Sequence, residues 1–253
     1  MCDLFGLSCN HKDRATISLK QFAKETSEIN SHGWGIAFFN NEHGIVERAS
    51  DDEAEIPAKE NERFSDVVKE ARSKNILAHT RRSTCGTHCE LDCHPFKAKY
   101  FGRDWIFAHN GQVKDKFDRH PSADGETDSE TIFLELMDYT EQFVNEDNPK
   151  IHGLYPAIKK ALKKILDKYA PINLNFLLTD GYMYYAFNHY TRRPMYMLRR
   201  MKGYGPVVLL STEQLQTPNN EPWEKIPPDQ LLVLNCGQII VLSDKIPSLP
   251  PLR

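Results

Sequence analysis

No apolar run in the 253-residue chain approaches the roughly 20 residues that a bilayer core demands, so a helical membrane span is not expected. The amino terminus lacks a basic segment followed by an apolar stretch, the pattern of a secretory leader. Basic excess is missing too. Lys and Arg number 32 against 35 Asp and Glu, a formal net charge of -3, whereas a dedicated nucleic-acid binder carries a clear surplus of positive charge. No glycine-rich phosphate loop marks ATP use, and no internal repeat or low-complexity linker divides the chain. These absences lead to the expectation of a cytoplasmic protein with no nucleic-acid partner and no membrane contact, folded as a single domain over residues 1–253.

What is present is ordinary soluble composition, with 40% hydrophobic and 26% charged residues, enough to bury a sizeable core. The stretch DLFGLS reads as a short buried strand. SLKQFAKE has Ser18 and Gln21 at capping-box spacing and predicts a short helix. GWGIAFF and GIVERAS predict a hairpin across NEHG. The charged segment DDEAEIPAKENERF is expected to be exposed, and SDVVKEARS to be a second short helix. NILAHTR and RDWIFAHNG are apolar strands that both end in polar residues, which points to a site at one rim of a sheet. Thr127 and Glu130 have capping spacing before a long helix with an apolar stripe at Ile132, Phe133, Leu136, Met137 and Phe143. IHGLYPAIKKALKKILDKY predicts another helix. NLNFLLTD, GYMYYAFN, GPVVLLST, QLLVLN and QIIVLS are further strands, and the proline-rich IPSLPPLR ends regular structure. Many hairpin-like strands with few helices argue against a doubly wound βαβ fold. They predict an α+β structure with two sheets packed face to face.

Six cysteines stand at positions 2, 9, 85, 89, 93 and 236. In a cytosolic chain of this size they are not expected to form a disulfide framework. Cys2 is the notable one. Once Met1 is trimmed, its thiol and its own α-amine share one framework, and their ordinary pKa values near 8.5 and 8 suit a nucleophile with a built-in base. A buried structural cysteine on the first strand is the plain alternative.

Five stretches in order decide how Cys2 is read: MCDLFGLSCN, HGWGIAFF, AHTRRST, HPFKAKYFGRDWIFAHNGQV and GETDSE. With them the chain resembles the class II glutamine amidotransferase domain, a member of the N-terminal nucleophile hydrolases, and within it the stand-alone YafJ-like type. The resemblance implies a four-layer αββα sandwich of two mainly antiparallel sheets. It implies a reaction in which Cys2 attacks the γ-amide of glutamine, or of another γ-glutamyl compound, and passes through a thioester. It also implies roles for particular residues. Asn110 and Gly111 would supply the two donors of an oxyanion hole, although Asn-Gly is also a common hairpin turn. Arg81 would hold the substrate α-carboxylate through paired hydrogen bonds, with Thr84 as a hydroxyl contact from the same loop. Asp128 would hold the α-ammonium, although an acidic residue at a helix start is routine. His94 would lie near the glutamine pocket, while His79 and His109 are expected to be structural. Two positions depart from relatives. Arg82 stands where many carry tryptophan, and His32 stands where the sugar-phosphate and purine enzymes carry arginine. No cofactor is implied. The chain is too short for an appended phosphosugar isomerase or phosphoribosyltransferase domain, so any ammonia acceptor would be a separate enzyme. A dedicated γ-glutamyl peptide or metabolite hydrolase would need none.

Two other readings compete. Cys85, Cys89 and Cys93, with His88 and His94 nearby, have spacing that zinc tolerates, but no second ligand pair is visible, and the spacing misses the common iron–sulfur runs. No metal is expected, and a disulfide from Cys85 to Cys89 or Cys93 is the oxidised alternative. Arg192, Arg193, Arg199 and Arg200 around Tyr196 could form an RNA-contacting patch or a plain solvated segment. A non-enzymatic binding module would tolerate loss of Cys2.

Overall fold

The computed structural model of the chain describes residues 2–50, 57–82, 89–113, 117–147, 153–201 and 205–251. Two antiparallel sheets form its centre. The first holds seven strands in the order β11 (Glu224–Lys225), β9 (Tyr196–Arg200), β10 (Val207–Ser211), β1 (Asp3–Asp13), β4 (Ser73–Thr80), β2 (Gly33–Asn40) and β3 (His43–Ser50), and the second holds six in the order β13 (Gln238–Leu242), β12 (Leu231–Asn235), β8 (Met183–His189), β7 (Ile172–Thr179), β6 (Arg103–Val113) and β5 (Phe96–Tyr100). The strands that matter for the site are β1 (Asp3–Asp13), β4 (Ser73–Thr80) and β10 (Val207–Ser211) in the first sheet, and β6 (Arg103–Val113) and β7 (Ile172–Thr179) in the second. Helices α1 (Thr16–Thr26) and α2 (Glu62–Glu70) cover the first sheet. Helices α3 (Asp128–Asp147) and α4 (Tyr155–Lys168) cover the second.

Alternation along the strands builds the four layers. In β1, Phe5 and Leu7 turn outward into a core with Leu19 and Phe22 of α1 and Phe64 and Val68 of α2. Leu4 turns inward, into a cluster between the sheets with Leu77, Ile106, Ala108 and Leu177. Phe107, Phe176 and Phe187 pack outward from the second sheet against Phe133 and Met137 of α3 and Ile158 and Leu162 of α4. Both faces of both sheets are therefore buried, which is why DLFGLS and NFLLT read as continuous rather than alternating apolar runs. The expected α+β fold with two mainly antiparallel sheets between helices is the observed one. Among the described residues, no helix is long and apolar enough to cross a membrane.

Local details differ from expectation. Ser18 does not cap α1, which starts at Thr16 after Ala15 in a left-handed conformation. Asp13 Oδ1 instead accepts from the amides of Arg14 (2.6 Å) and Ala15 (3.2 Å). The Thr127 hydroxyl accepts from Glu130 N at 3.3 Å, as capping spacing requires, but Glu130 does not complete the reciprocal bond. Its carboxylate accepts from Asp124 N and Gly125 N (3.2 and 2.7 Å), fastening the preceding loop. Strand β5 (Phe96–Tyr100) carries no prediction, since Lys97 and Lys99 mask it. It is an edge strand with Phe96 buried and the lysines outward. The first six residues of the charged segment after Ser50, 51–56, lie outside the described residues.

Candidate active site

The two strands with polar ends turn out to lie in different sheets, so the rim they share is that of the whole sandwich. Chain direction explains the meeting. Antiparallel pairing sets the start of β1 beside the end of β4, with Asp3 opposite Thr80. It sets the end of β6 beside the start of β7, with Asn110 opposite Asn175 and Gly111 opposite Leu174. Packing the sheets face to face then brings Cys2, Arg81, Asn110 and Gly111 to one end.

Cys2 is half-buried, and its thiol lies against backbone. Arg82 N donates to Sγ at 3.3 Å, and Sγ lies 3.4 Å from Arg82 O. Burial pushes the thiol pKa up, against the Arg82 backbone contact and the Arg81 charge, which pull it down. The group is therefore held as a neutral thiol at neutral pH and needs a base to become a nucleophile. The Arg82 side chain is exposed, so it is the backbone at this position that touches the cysteine.

Asn110 is 2% exposed and bridges the sheets, its Nδ2 donating to the carbonyl oxygen of Cys2 at 2.5 Å. A carboxamide nitrogen carries two donors, so the second N–H remains for another acceptor at the same place. Asn110 and Gly111 lie inside strand β6 rather than in a turn, which removes the hairpin reading. Glycine is required at 111 by close approach. A Cβ there would lie 1.9 Å from Asn173 O and 2.5 Å from His109 Nε2, far inside contact distance.

Arg81 is 3% exposed, held by backbone bonds to Gly33 O (2.8 Å) and from His32 N (2.9 Å), with Nη1 3.9 Å from Cys93 Sγ. Burial drives the Cys93 thiol up to about 11, although Arg81 opposes it. Asp128 begins α3 and accepts from Val113 N (2.9 Å) through Oδ2 and from Ser129 Oγ (3.2 Å) through Oδ1. It thereby ties the end of the Asn110–Gly111 strand to the helix. The rings of His94 and His79 lie 4.2 Å apart and tilted by 38°, and both are deeply buried. Burial, then the Arg81 charge, lowers His79 to about 3, and burial takes His94 well below its usual value. Both are neutral imidazoles. His109 is satisfied by Ser129 Oγ (2.9 Å) and Asn173 O (3.1 Å), a structural role.

Thr84, Cys85 and His88 lie outside the described residues. Among the described residues no group of three or more His, Cys, Asp or Glu could hold a metal, and Cys93 is a buried thiol. The arginine patch resolves into ion pairs: Arg199 to Glu224 (2.7 Å) and Arg200 to Glu221 (2.6 Å). Arg193 instead turns inward to Glu213 and to Asp3, at 3.5 Å from the latter. Asp3 was missed in the sequence, though a charged residue opening an apolar strand was signal enough.

The profile of the class-II glutamine amidotransferases matches residues 1–209. An uncharacterized protein of Methanocaldococcus jannaschii is 28% identical over 98% of this chain and 73% of its own. YafJ of Escherichia coli is 26% identical over 95% of this chain and 100% of its own. The crystal structure of a predicted glutamine amidotransferase from Pseudomonas aeruginosa superposes with a TM-score of 0.64 at 20% identity, over 95% of this chain and 100% of that one.

Proposed function

The chain belongs to the class-II glutamine amidotransferases, and from that premise we propose that it hydrolyses the γ-amide of glutamine, or of another γ-glutamyl compound, through a thioester on Cys2. The observation that supports this most is the 2.5 Å hydrogen bond from Asn110 Nδ2 to the carbonyl oxygen of Cys2, which sets a fixed donor beside a thiol that burial keeps protonated. In this mechanism the α-amine of Cys2, free after loss of Met1, takes the thiol proton. The sulfur attacks the γ-carbonyl carbon. Negative charge grows on the carbonyl oxygen, where Asn110 Nδ2 and Gly111 N are the donors. The C–N bond breaks as the ammonium returns its proton to the departing ammonia or amine, leaving a γ-glutamyl thioester. Water then attacks the thioester with the same amine as base, and glutamate leaves. Arg81 and Asp128 read the α-carboxylate and α-ammonium, so recognition belongs to the γ-glutamyl end whatever amine departs.

We take residues 1–253 as a single domain of the stand-alone YafJ-like type, in keeping with the match along the full length of YafJ. Neither an ammonia acceptor nor a cofactor enters the scheme. The test is glutamate release by the purified protein from glutamine and a panel of γ-glutamyl amides, with intact mass showing that the active chain starts at Cys2. Full activity in a preparation that uniformly retains Met1 would remove the amine as base. No release from any member of the panel would end the enzyme reading.

Within this scheme Asn110→Ala is expected to lower kcat by about two to three orders of magnitude with little change in KM, the size typical of a lost oxyanion donor. Steady-state kinetics beside circular dichroism will show it. Unchanged turnover in a folded variant removes Asn110 from the oxyanion hole.

A further inference from the structure

Asp3 follows the nucleophile directly and is 2% exposed. Its carboxylate is an acceptor at both oxygens. Oδ1 accepts from Thr212 Oγ1 at 2.8 Å and faces Arg193 Nη1 at 3.5 Å, while Oδ2 accepts from Asn30 Nδ2 at 2.7 Å. Thr212 Oγ1 in turn accepts from Leu4 N at 2.9 Å, and Thr212 N donates to Leu4 O at 3.1 Å. Asn30 and Thr80 extend the network, 3.4 Å apart, and Thr80 reaches Thr26 of α1 at 3.0 Å. The leading end of β1 is thus gripped by four elements: β4, the segment after α1 that carries Asn30, the segment after β10, and the loop before β9 (Tyr196–Arg200) that carries Arg193.

We propose that Asp3 is a positioning residue for Cys2, its ionised carboxylate clamping the first strand through Thr212, Asn30 and Arg193 so that the thiol is held beside Arg82 N and Asn110. The clamp rests on the reading of Cys2 as nucleophile only for its effect on turnover. Its electrostatic coupling to Cys2 does not depend on that reading.

Two features say that this carboxylate is kept for more than stability. Burial raises Asp3 to about 6, in spite of the opposing Thr212 hydrogen bond and Arg193 charge. A carboxyl raised in the folded state contributes stability that is present below its unfolded value, near 4, and is lost as pH rises through about 6. At neutral pH the folded protein therefore bears a buried charge at a cost. Asn30 Oδ1 is moreover a buried acceptor with no hydrogen-bond partner among the described residues. A half-turn of its carboxamide would present that oxygen to a protonated Asp3, or to an amide in its place, so the site accommodates the neutral form. Among the described residues the charged groups facing Asp3 are Arg193 and Glu213, with the Cys2 thiol and, after loss of Met1, the Cys2 α-amine beside it in the chain. Thr212, Asn30 and Thr80 complete its surroundings and do not titrate.

Asp3→Asn is consequently expected to fold, with a Tm at pH 7.5 equal to or above that of wild type. Its kcat on the best γ-glutamyl substrate should fall about 10- to 100-fold at unchanged KM, the scale of a small misplacement of a reacting group. Between pH 5 and 8 the Cys2 amine, ordinarily about 8, itself makes kcat fall toward acid; the Asp3 carboxylate should add a second limb with a midpoint near 6, and Asp3→Asn should lack that second limb. Thr212→Val keeps the carboxylate but removes its donor, and should move the limb to higher pH. Alkylation of Cys2 by iodoacetamide, followed by peptide mass, needs no substrate. Its midpoint should shift to lower pH in Asp3→Asn, because a negative charge that raises the thiol has gone. Kinetic and alkylation profiles that both stay at wild-type positions would overturn the inference and leave Asp3 a structural residue. A moved alkylation midpoint in a protein that cleaves no γ-glutamyl amide would sink the functional reading and support the coupling.

Discussion

Cys2→Ala is expected to fold like wild type and to release no measurable glutamate from any γ-glutamyl amide. The two outcomes separate because they rest on different atoms. The fold uses the backbone at this position: the Cys2 carbonyl accepts from Asn110, and alanine keeps that carbonyl. Among the described residues the thiol has hydrogen-bond contacts with Arg82 N and O, at 3.3 and 3.4 Å, and belongs to no core cluster. The proposed catalysis uses the sulfur, and among the described residues no neighbouring group replaces it. Cys93 is buried on the far side of Arg81, with a thiol pushed up to about 11, so it cannot serve. Removing a covalent nucleophile costs on the order of 10⁴-fold or more in turnover. Circular dichroism, thermal melts and glutamate release on the same preparation will measure both outcomes. Retained hydrolysis in the alanine variant would remove Cys2 from the chemistry and favour a binding module.

Arg81→Ala is expected to lower kcat/KM by about 10²- to 10³-fold for every γ-glutamyl substrate, the size seen when one partner of a buried charge pair is removed. The residue is 3% exposed, and its backbone is pinned to Gly33 and His32 on β2 (Gly33–Asn40) and just before it. The guanidinium therefore has little freedom, and little water competes with a carboxylate for it. The loss should be selective. Glutamine should suffer far more than its α-amide, which offers no carboxylate. Arg81→Lys should fall between the two, keeping charge but not the paired geometry of the guanidinium. If glutamine and its α-amide decline equally relative to wild type, Arg81 does not read the carboxylate and the substrate lies elsewhere.

Much of this protein was legible in the order of its residues. Apolar strands with turn residues between them gave a two-sheet α+β architecture, because alternation and continuous apolar runs report directly on which faces are buried. Cys2, Arg81, Asn110, Gly111 and Asp128 were singled out by the ordered stretches that resemble the family, while the polar ends of two apolar strands pointed to a site at a sheet rim. Edge strand β5 escaped because alternate lysines face solvent, and Ser18 misled because a capping spacing does not say which turn begins the helix. Only the tertiary structure decided that the rim is shared by two sheets, that Gly111 is demanded by the Asn173 carbonyl rather than by a turn, and that Arg193 leaves the basic run to meet Asp3. Those facts depend on contacts between residues up to 190 positions apart. Local propensity carries no information about such pairs. They are set by the antiparallel register and by the packing of one sheet on the other, which bring the start of β1, the end of β6 and the loop before β9 to a single point.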